Sequence, residues 1–174
     1  MKKNIIFIII FILIISLFWF ISSPKEYKVL KIVDGDTFYI DINSNNKIEK
    51  NERFRVNGID TFETKTGQKL NNQAKSINIS DKDALKLGFL AKKFAKENLS
   101  NKYIKIKYSA QTRKDKYNRG LISIYYDCDE NNQCKSYEKE ILKEGLAVVY
   151  PFSNLKDELI KYEDINKIKE NIKK

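Results

Sequence analysis

YKVLKIVDGDTFYIDINSNNKIEKNERFRVNGIDT, residues 27–61, decides how the rest of the chain is read. YKVLKIV and TFYIDI are rich in β-branched and aromatic residues and are separated at Asp34-Gly35-Asp36. RFRVNGI returns as a further strand after the polar, turn-like stretch NSNNKIEKNE. Such runs bounded by Asn, Asp and Gly favour short strands joined by turns. Folding the arms back near Lys47-Ile48 sets Asp36 opposite Ile59 and beside Asp60, as antiparallel register requires. Farther on, TKTGQKLNNQAKSINIS reads as a polar surface loop, and Ser80 with Asp83 as a helix start. DALKLGFLAKKFAKENL then spaces Ala84, Leu87, Ala91, Phe94 and Leu99 as one helical face. KYIKIKYSA and GLISIYYD read as strands, and EKEILKEGLAVVY as a short helix ending at Gly145 before a brief apolar segment. The tail puts Leu155, Leu159, Tyr162, Ile165, Ile168 and Ile172 on one amphipathic face. Strands first and helices inserted late predict an α+β domain, a five-stranded OB-fold-like barrel with about three helices.

The chain has 174 residues, one domain's worth, and a formal net charge of +10. That charge suits a polyanionic partner, either nucleic acid or an anionic membrane surface. There is no histidine. Acid–base chemistry therefore falls to Asp, Glu, Lys or Tyr, and a bound metal is one that prefers oxygen. Met-Lys-Lys precedes the apolar run 5–21, in which Ser16 is the one polar residue. Residues 1–23 thus read as a signal peptide or an uncleaved N-terminal membrane anchor, with 24–174 as an extracytoplasmic domain, secreted or membrane-anchored. In that setting Cys128 and Cys134 suit a disulfide across a loop, with free thiols as the alternative.

The chemistry concentrates in RFRVNGIDTFETK (53–65), where Arg55, Asp60 and Glu63 lie close together. Asp36 and Asp60, brought side by side, call for a cation. A hard divalent ion held by carboxylates, a carbonyl and water is the economical answer, with Glu63 in reach of a nearby water. TRKDKYNRGL adds Arg113, Lys114, Lys116 and Arg119 around Tyr117, a pairing of guanidinium and aromatic groups suited to phosphates and unstacked bases.

VDGDTF (33–38), RFRVNGIDTFETK (53–65) and DKYNRGL (115–121) together resemble, in order and spacing, the staphylococcal nuclease (thermonuclease) family. Weaker similarity runs through LGFLAKKF and EGLAVVYPF. The resemblance implies a Ca²⁺-dependent nuclease on an OB-fold barrel that cuts DNA and RNA to leave 3′-phosphate ends, and nothing in the sequence suggests more than a monomer. It makes Asp36 and Asp60 calcium carboxylates and Thr61 the donor of a backbone carbonyl. Glu63 becomes the general base, Arg55 and Arg119 the phosphate clamp, and Lys116, Tyr117 and Tyr150 the lining of the nucleotide pocket. Phe62 replaces the family's usual proline, Asn118 its usual glycine, and the loop after Glu63 is longer than typical. A non-catalytic OB-type module that only binds nucleic acid at the cell surface is the competing reading, but it has no need for Asp36, Arg55, Asp60, Glu63 and Arg119 together.

DINSNNKIEKNE (41–52) has the spacing of an EF-hand-like calcium loop, with Asp41, Asn43, Asn45 and Glu52 at positions 1, 3, 5 and 12. Asn46 stands where glycine is usual, the flanks are strands, and only one of the first five positions is acidic. The plainer reading is a polar hairpin turn.

Overall fold

A computed structural model describes residues 25–110 and 114–173. The apolar segment 1–23 and Arg113 lie outside them. Five strands close a barrel. β1 (Tyr27–Ile32) pairs antiparallel with β2 (Thr37–Asp41), and β2 with β3 (Arg53–Val56). β5 (Tyr103–Tyr108) pairs with both β1 and β6 (Gly120–Tyr126), and β3 runs parallel to β6 to complete the ring. This is the OB-type closure expected from the strand order. β6 shows why it forms: Ile122, Ile124 and Tyr126 are buried while Leu121, Ser123 and Tyr125 are half-exposed. β3 alternates likewise, with Phe54 and Val56 inward and Arg53 and Arg55 outward.

The hairpin register differs from the one expected. Thr37 faces Arg55 and Phe38 faces Phe54, three residues away from the predicted pairing. The loop is not a symmetric turn. A 3₁₀ turn at Lys50–Glu52 brings Glu52 back onto Ile42 and Asn43, whose backbone N–H groups donate to its Oε1 at 2.9 and 3.0 Å. Asp36 consequently lies opposite Val56, whose N–H donates to the Asp36 carbonyl. Asp60 reaches the same place by another route. The chain reverses at Asn57-Gly58, with Gly58 at φ +88°, and β4 (Ile59–Thr61) pairs with β8 (Ala147–Val149).

Five helices are described, two more than expected. The stretch read as a surface loop contains α1 (Gln68–Ser76), which buries only Leu70 and Ala74. α2 (Asp81–Leu99) starts at Ser80, whose hydroxyl accepts from the Asp83 N–H, and buries Ala84, Leu87, Ala91, Ala95 and Leu99. α3 (Tyr137–Lys143) follows the two-residue strand β7 (Lys135–Ser136). The tail is not one helix: α4 (Lys156–Leu159) and α5 (Ile165–Lys173) flank a 3₁₀ turn and bury Leu159 and Ile168, leaving Ile165 exposed. The core joins the barrel interior (Phe38, Ile40, Phe54, Ile124) to α2 and α3. Burying each such side chain contributes on the order of 1.5–3 kcal/mol. Tyr137, fully buried, donates its hydroxyl to the Gly35 carbonyl at 2.7 Å and so fixes the β1–β2 turn from α3.

Candidate active site

The β1–β2 turn delivers Asp36, buried at 2 % exposure. Its Oδ2 meets Arg55 Nη1 at 2.8 Å and accepts from the Thr61 N–H at 3.0 Å, and its Oδ1 accepts from the Thr37 hydroxyl. Burial acts to raise its pKa, but Arg55 and the Thr61 N–H outweigh it and hold the carboxyl below its ordinary value. Neighbouring Asp34 is pushed the other way, to about 7, by burial and then by the charge on Asp36.

Arg55 binds two carboxylates at once. Its Nη2 donates to Asp60 Oδ1 at 2.7 Å and to the Ile59 carbonyl at 3.0 Å. Two like charges are thereby held together by a cation of the chain itself. α1 supplies the rest. Gln73 Nε2 donates to Asp60 Oδ2 at 2.6 Å and to the Thr61 carbonyl at 2.9 Å, while its Oε1 accepts from the Glu63 N–H. Lys69 Nζ lies on Glu63 Oε1 and 3.4 Å from Asp60 Oδ1. Burial lowers the Lys69 pKa, yet Asp60 and Glu63 raise it by more.

Arg119 enters from the turn before β6. Asp115 holds it by Nε and Nη2 at 2.7 and 2.6 Å, and Arg119 Nη1 donates to Thr37 Oγ1 at 3.2 Å. One connected path therefore runs Arg119–Thr37–Asp36–Arg55–Asp60–Lys69–Glu63. Aromatic rings flank both guanidiniums. Arg55 lies 5.9 Å from the Tyr150 ring and Arg119 5.4 Å from that of Tyr117, with Lys116 on Tyr117 as well. Tyr117 is 68 % exposed, a platform open to solvent.

The donors suit a hard cation. Among the described residues no group of three or more Asp, Glu, His or Cys side chains is arranged to chelate an ion. The available set is two carboxylates and the Thr61 carbonyl. Each of these is answered by a positive or N–H group of the protein: Asp36 by Arg55, Asp60 by Arg55, Lys69 and Gln73, and Thr61 O by Gln73. These are the oxygen types that a hard divalent ion takes, and an ion entering here has to displace Arg55 from Asp36 and Arg55, Lys69 and Gln73 from Asp60.

A model of the family described as staphylococcal nuclease homologue matches residues 53–174. The chain belongs to that family. It is also similar to the uncharacterized protein MJ1439 of Methanocaldococcus jannaschii, 36 % identical over 83 % of this chain and 70 % of that one. A thermonuclease of Staphylococcus hyicus is 29 % identical over 72 % of this chain, and the aligned part spans 60 % of its length.

Two features that set this chain apart within the resemblance now have a physical form. Phe62, where proline is usual, is buried at 2 % exposure and anchors the loop by packing in place of a fixed φ. The loop also leans on α2 at Gly88, where an added Cβ would lie 2.3 Å from the Glu63 carbonyl and 2.7 Å from that of Phe62. Asn118 adopts φ +64°, a region that asparagine tolerates. Sequence reasoning missed Lys69, Gln73 and Asp115 as site residues. Asp115 carried a signal, since it lies four residues before Arg119 in a turn-forming motif. Lys69 and Gln73 carried none without the helix that aims them.

Two other groups lie elsewhere. Cys128 and Cys134 are joined in the structure, just past the end of β6 remote from Arg119. Asp41, Asn43, Asn45 and Glu52 occupy the β2–β3 loop, at the opposite end of β2 from Asp36.

Proposed function

We propose that the protein is a calcium-dependent nuclease hydrolysing phosphodiester bonds of DNA and RNA, single strands preferred, and leaving 3′-phosphate ends. The observation that carries this is the connected path of Arg55, Asp36, Asp60, Glu63 and Arg119 between two exposed aromatic rings. Asp36, Asp60 and the Thr61 carbonyl would hold calcium, which supplies Lewis-acid stabilisation of the negative charge that builds on a phosphate under attack. Glu63 takes the proton from the attacking water, the task that histidine performs elsewhere. Arg55 and Arg119 clamp the phosphate oxygens, and their charge counts most as the oxygens become more negative in the transition state. Asp115 keeps the Arg119 fork oriented, and Gln73 keeps the Glu63 backbone in place. Tyr117 and Tyr150 offer faces for bases that are free of a duplex, which favours single strands. The apolar segment at 1–23 and the joined cysteines support a place of action outside the cytoplasm.

The test uses the full-length protein, solubilised in non-ionic detergent, with end-labelled single-stranded DNA and RNA in Ca²⁺ or in chelator. Cutting in calcium alone, lowered at least about 10²-fold in kcat by Glu63→Gln, is expected for loss of a general base. Product mobility against 3′-phosphate standards reads the cleavage direction. Tight binding without cutting under any divalent metal would replace this reading with that of a binding module.

A further inference from the structure

We infer that the β2–β3 loop, Asp41–Glu52, is a second, structural calcium site, independent of the reaction centre. The first observation is an orphaned atom. Glu52 is buried at 3 % exposure, and its Oε2 is out of contact with solvent and has no hydrogen-bond partner among the described residues. A buried carboxylate oxygen left so is costly unless something cationic meets it. Its sister oxygen Oε1 accepts from the Ile42 and Asn43 N–H groups, which draws this carboxylate to the mouth of the loop beside Asp41.

The second observation is the arrangement of the loop around that oxygen. Asp41, buried at 4 % exposure, accepts the Asn45 N–H on Oδ1 and the Asn46 N–H on Oδ2, both at 3.0 Å. Asn43 Oδ1 accepts from the Asn45 N–H, and Asn45 Oδ1 from the Lys47 N–H. Asn46, at the position where calcium loops carry glycine, has φ +56°. Asparagine supplies the sharp turn that glycine otherwise would. Asn45 Nδ2 also donates to Glu49 Oε1 at 2.8 Å, which brings a third carboxylate to position 9. Side chains at 1, 3, 5, 9 and 12 with the carbonyl at 7 are the donor pattern of a twelve-residue calcium loop, here set between strands in place of helices. Asp41, Glu49 and Glu52 are not already drawn together as a chelating group, so an ion has to close the loop around itself. With Lys47 and Lys50 nearby that gives a weak site, with Kd on the order of 10⁻⁴–10⁻³ M as in extracellular calcium modules. An ion there ties the end of β2 to the start of β3, the two strands whose other ends carry Asp36 and Arg55.

Calcium binding by the full-length protein, measured by equilibrium dialysis and by thermal unfolding, tests this. The wild type is compared with Asp60→Asn, Glu52→Gln and the double variant Asn43→Ala/Asn45→Ala. Asp60→Asn, which disables the reaction centre, is expected to keep one calcium and a calcium-dependent rise in Tm. Glu52→Gln in the Asp60→Asn background is expected to lose both. Should Glu52→Gln fail to fold, the asparagine pair decides, because those side chains are exposed and their removal leaves the core untouched. A single calcium in the wild type that Asp60→Asn abolishes, or a stoichiometry that the loop variants leave unchanged, overturns the assignment. Neither result depends on whether the protein cuts nucleic acid.

Discussion

Lys69 puts its ammonium on Asp60 and Glu63, the two carboxylates that the proposed reaction assigns to calcium and to the attacking water. An ion entering the site must take Asp60 from it. Its side chain is 53 % exposed, so solvent weakens the pair to about 0.2–1 kcal/mol, the range of surface ion pairs. Lys69→Ala is therefore expected to lower the calcium concentration for half-maximal activity by up to about fivefold, read from a calcium titration of cleavage rate. An unchanged or higher requirement would show that Lys69 serves the substrate phosphate and does not compete with the metal. Arg55 is different in kind. Only 11 % of its side chain is exposed, both its partners are carboxylates, and their attraction outweighs burial and raises its pKa still further. It stays charged at every pH at which the fold survives. That Asp36, Arg55, Asp60, Glu63 and Arg119 come together was legible because three short motifs fix their spacing. The grip of Asp115 on Arg119 left only its spacing in the sequence, since the contact itself depends on a turn closed by the Asp115 N–H to the Arg119 carbonyl and by positive φ at Asn118.

α3 carries a carboxylate whose ionisation works against the fold. Glu138 is buried at 2 % exposure in its first turn. Its oxygens accept from the Ile124 N–H and the Ser136 hydroxyl, but burial dominates and pushes its pKa up to about 7. In the unfolded chain the group titrates near its ordinary 4.5. Stability from this group is thus complete below that pH and is lost as pH rises through about 7, a penalty of about 3 kcal/mol by the ~1.4 kcal/mol per unit rule. Glu138→Gln keeps an oxygen for the Ile124 N–H and has no charge to bury. It is expected to raise Tm by about 5–10 °C at pH 8 and hardly at all at pH 4, as seen in melting curves across that range. A gain that is equal at both pH values would mean packing and not ionisation. Elements on the barrel were readable because strands alternate and α2 repeats its apolar face over 19 residues. α1 was not, because Leu70 and Ala74 are its only buried residues in a polar stretch, too few to leave a helical period. The hairpin register also escaped. It is set by the Glu52 carboxylate gripping Ile42 and Asn43, a side-chain bond that no periodicity records.

Across the whole molecule, barrel closure gathers into one mouth residues that the chain scatters from 36 to 150. The β1–β2 turn, the β3–β4 turn, the turn before β6 and the end of β8 all open there, because β3 pairs with both β2 and β6. The fold class followed from strand order, whereas the pairing of β8 with β4, which fixes Asp60 and Thr61, joins segments 90 residues apart and left only a brief apolar run in the sequence. The chain carries a net charge of +10, but few of the described cations can touch a bound strand at the mouth. Among the described residues, Arg55, Arg119, Lys116 and Lys114 are four that can, whereas Lys69 is left out because Asp60 and Glu63 already engage it. Each phosphate neutralised on a single strand contributes about −0.7 to the slope of log K against log salt, so four predict about −3. Fluorescence anisotropy of a single-stranded oligonucleotide on the Glu63→Gln protein in calcium reads that slope without cleavage. Lys116→Ala is expected to weaken binding to all sequences alike and to flatten the slope by about 0.7. A slope steeper than about −5 would mean that the strand tracks over basic surface well beyond the mouth, and a slope near zero would sink the assignment of this mouth to nucleic acid.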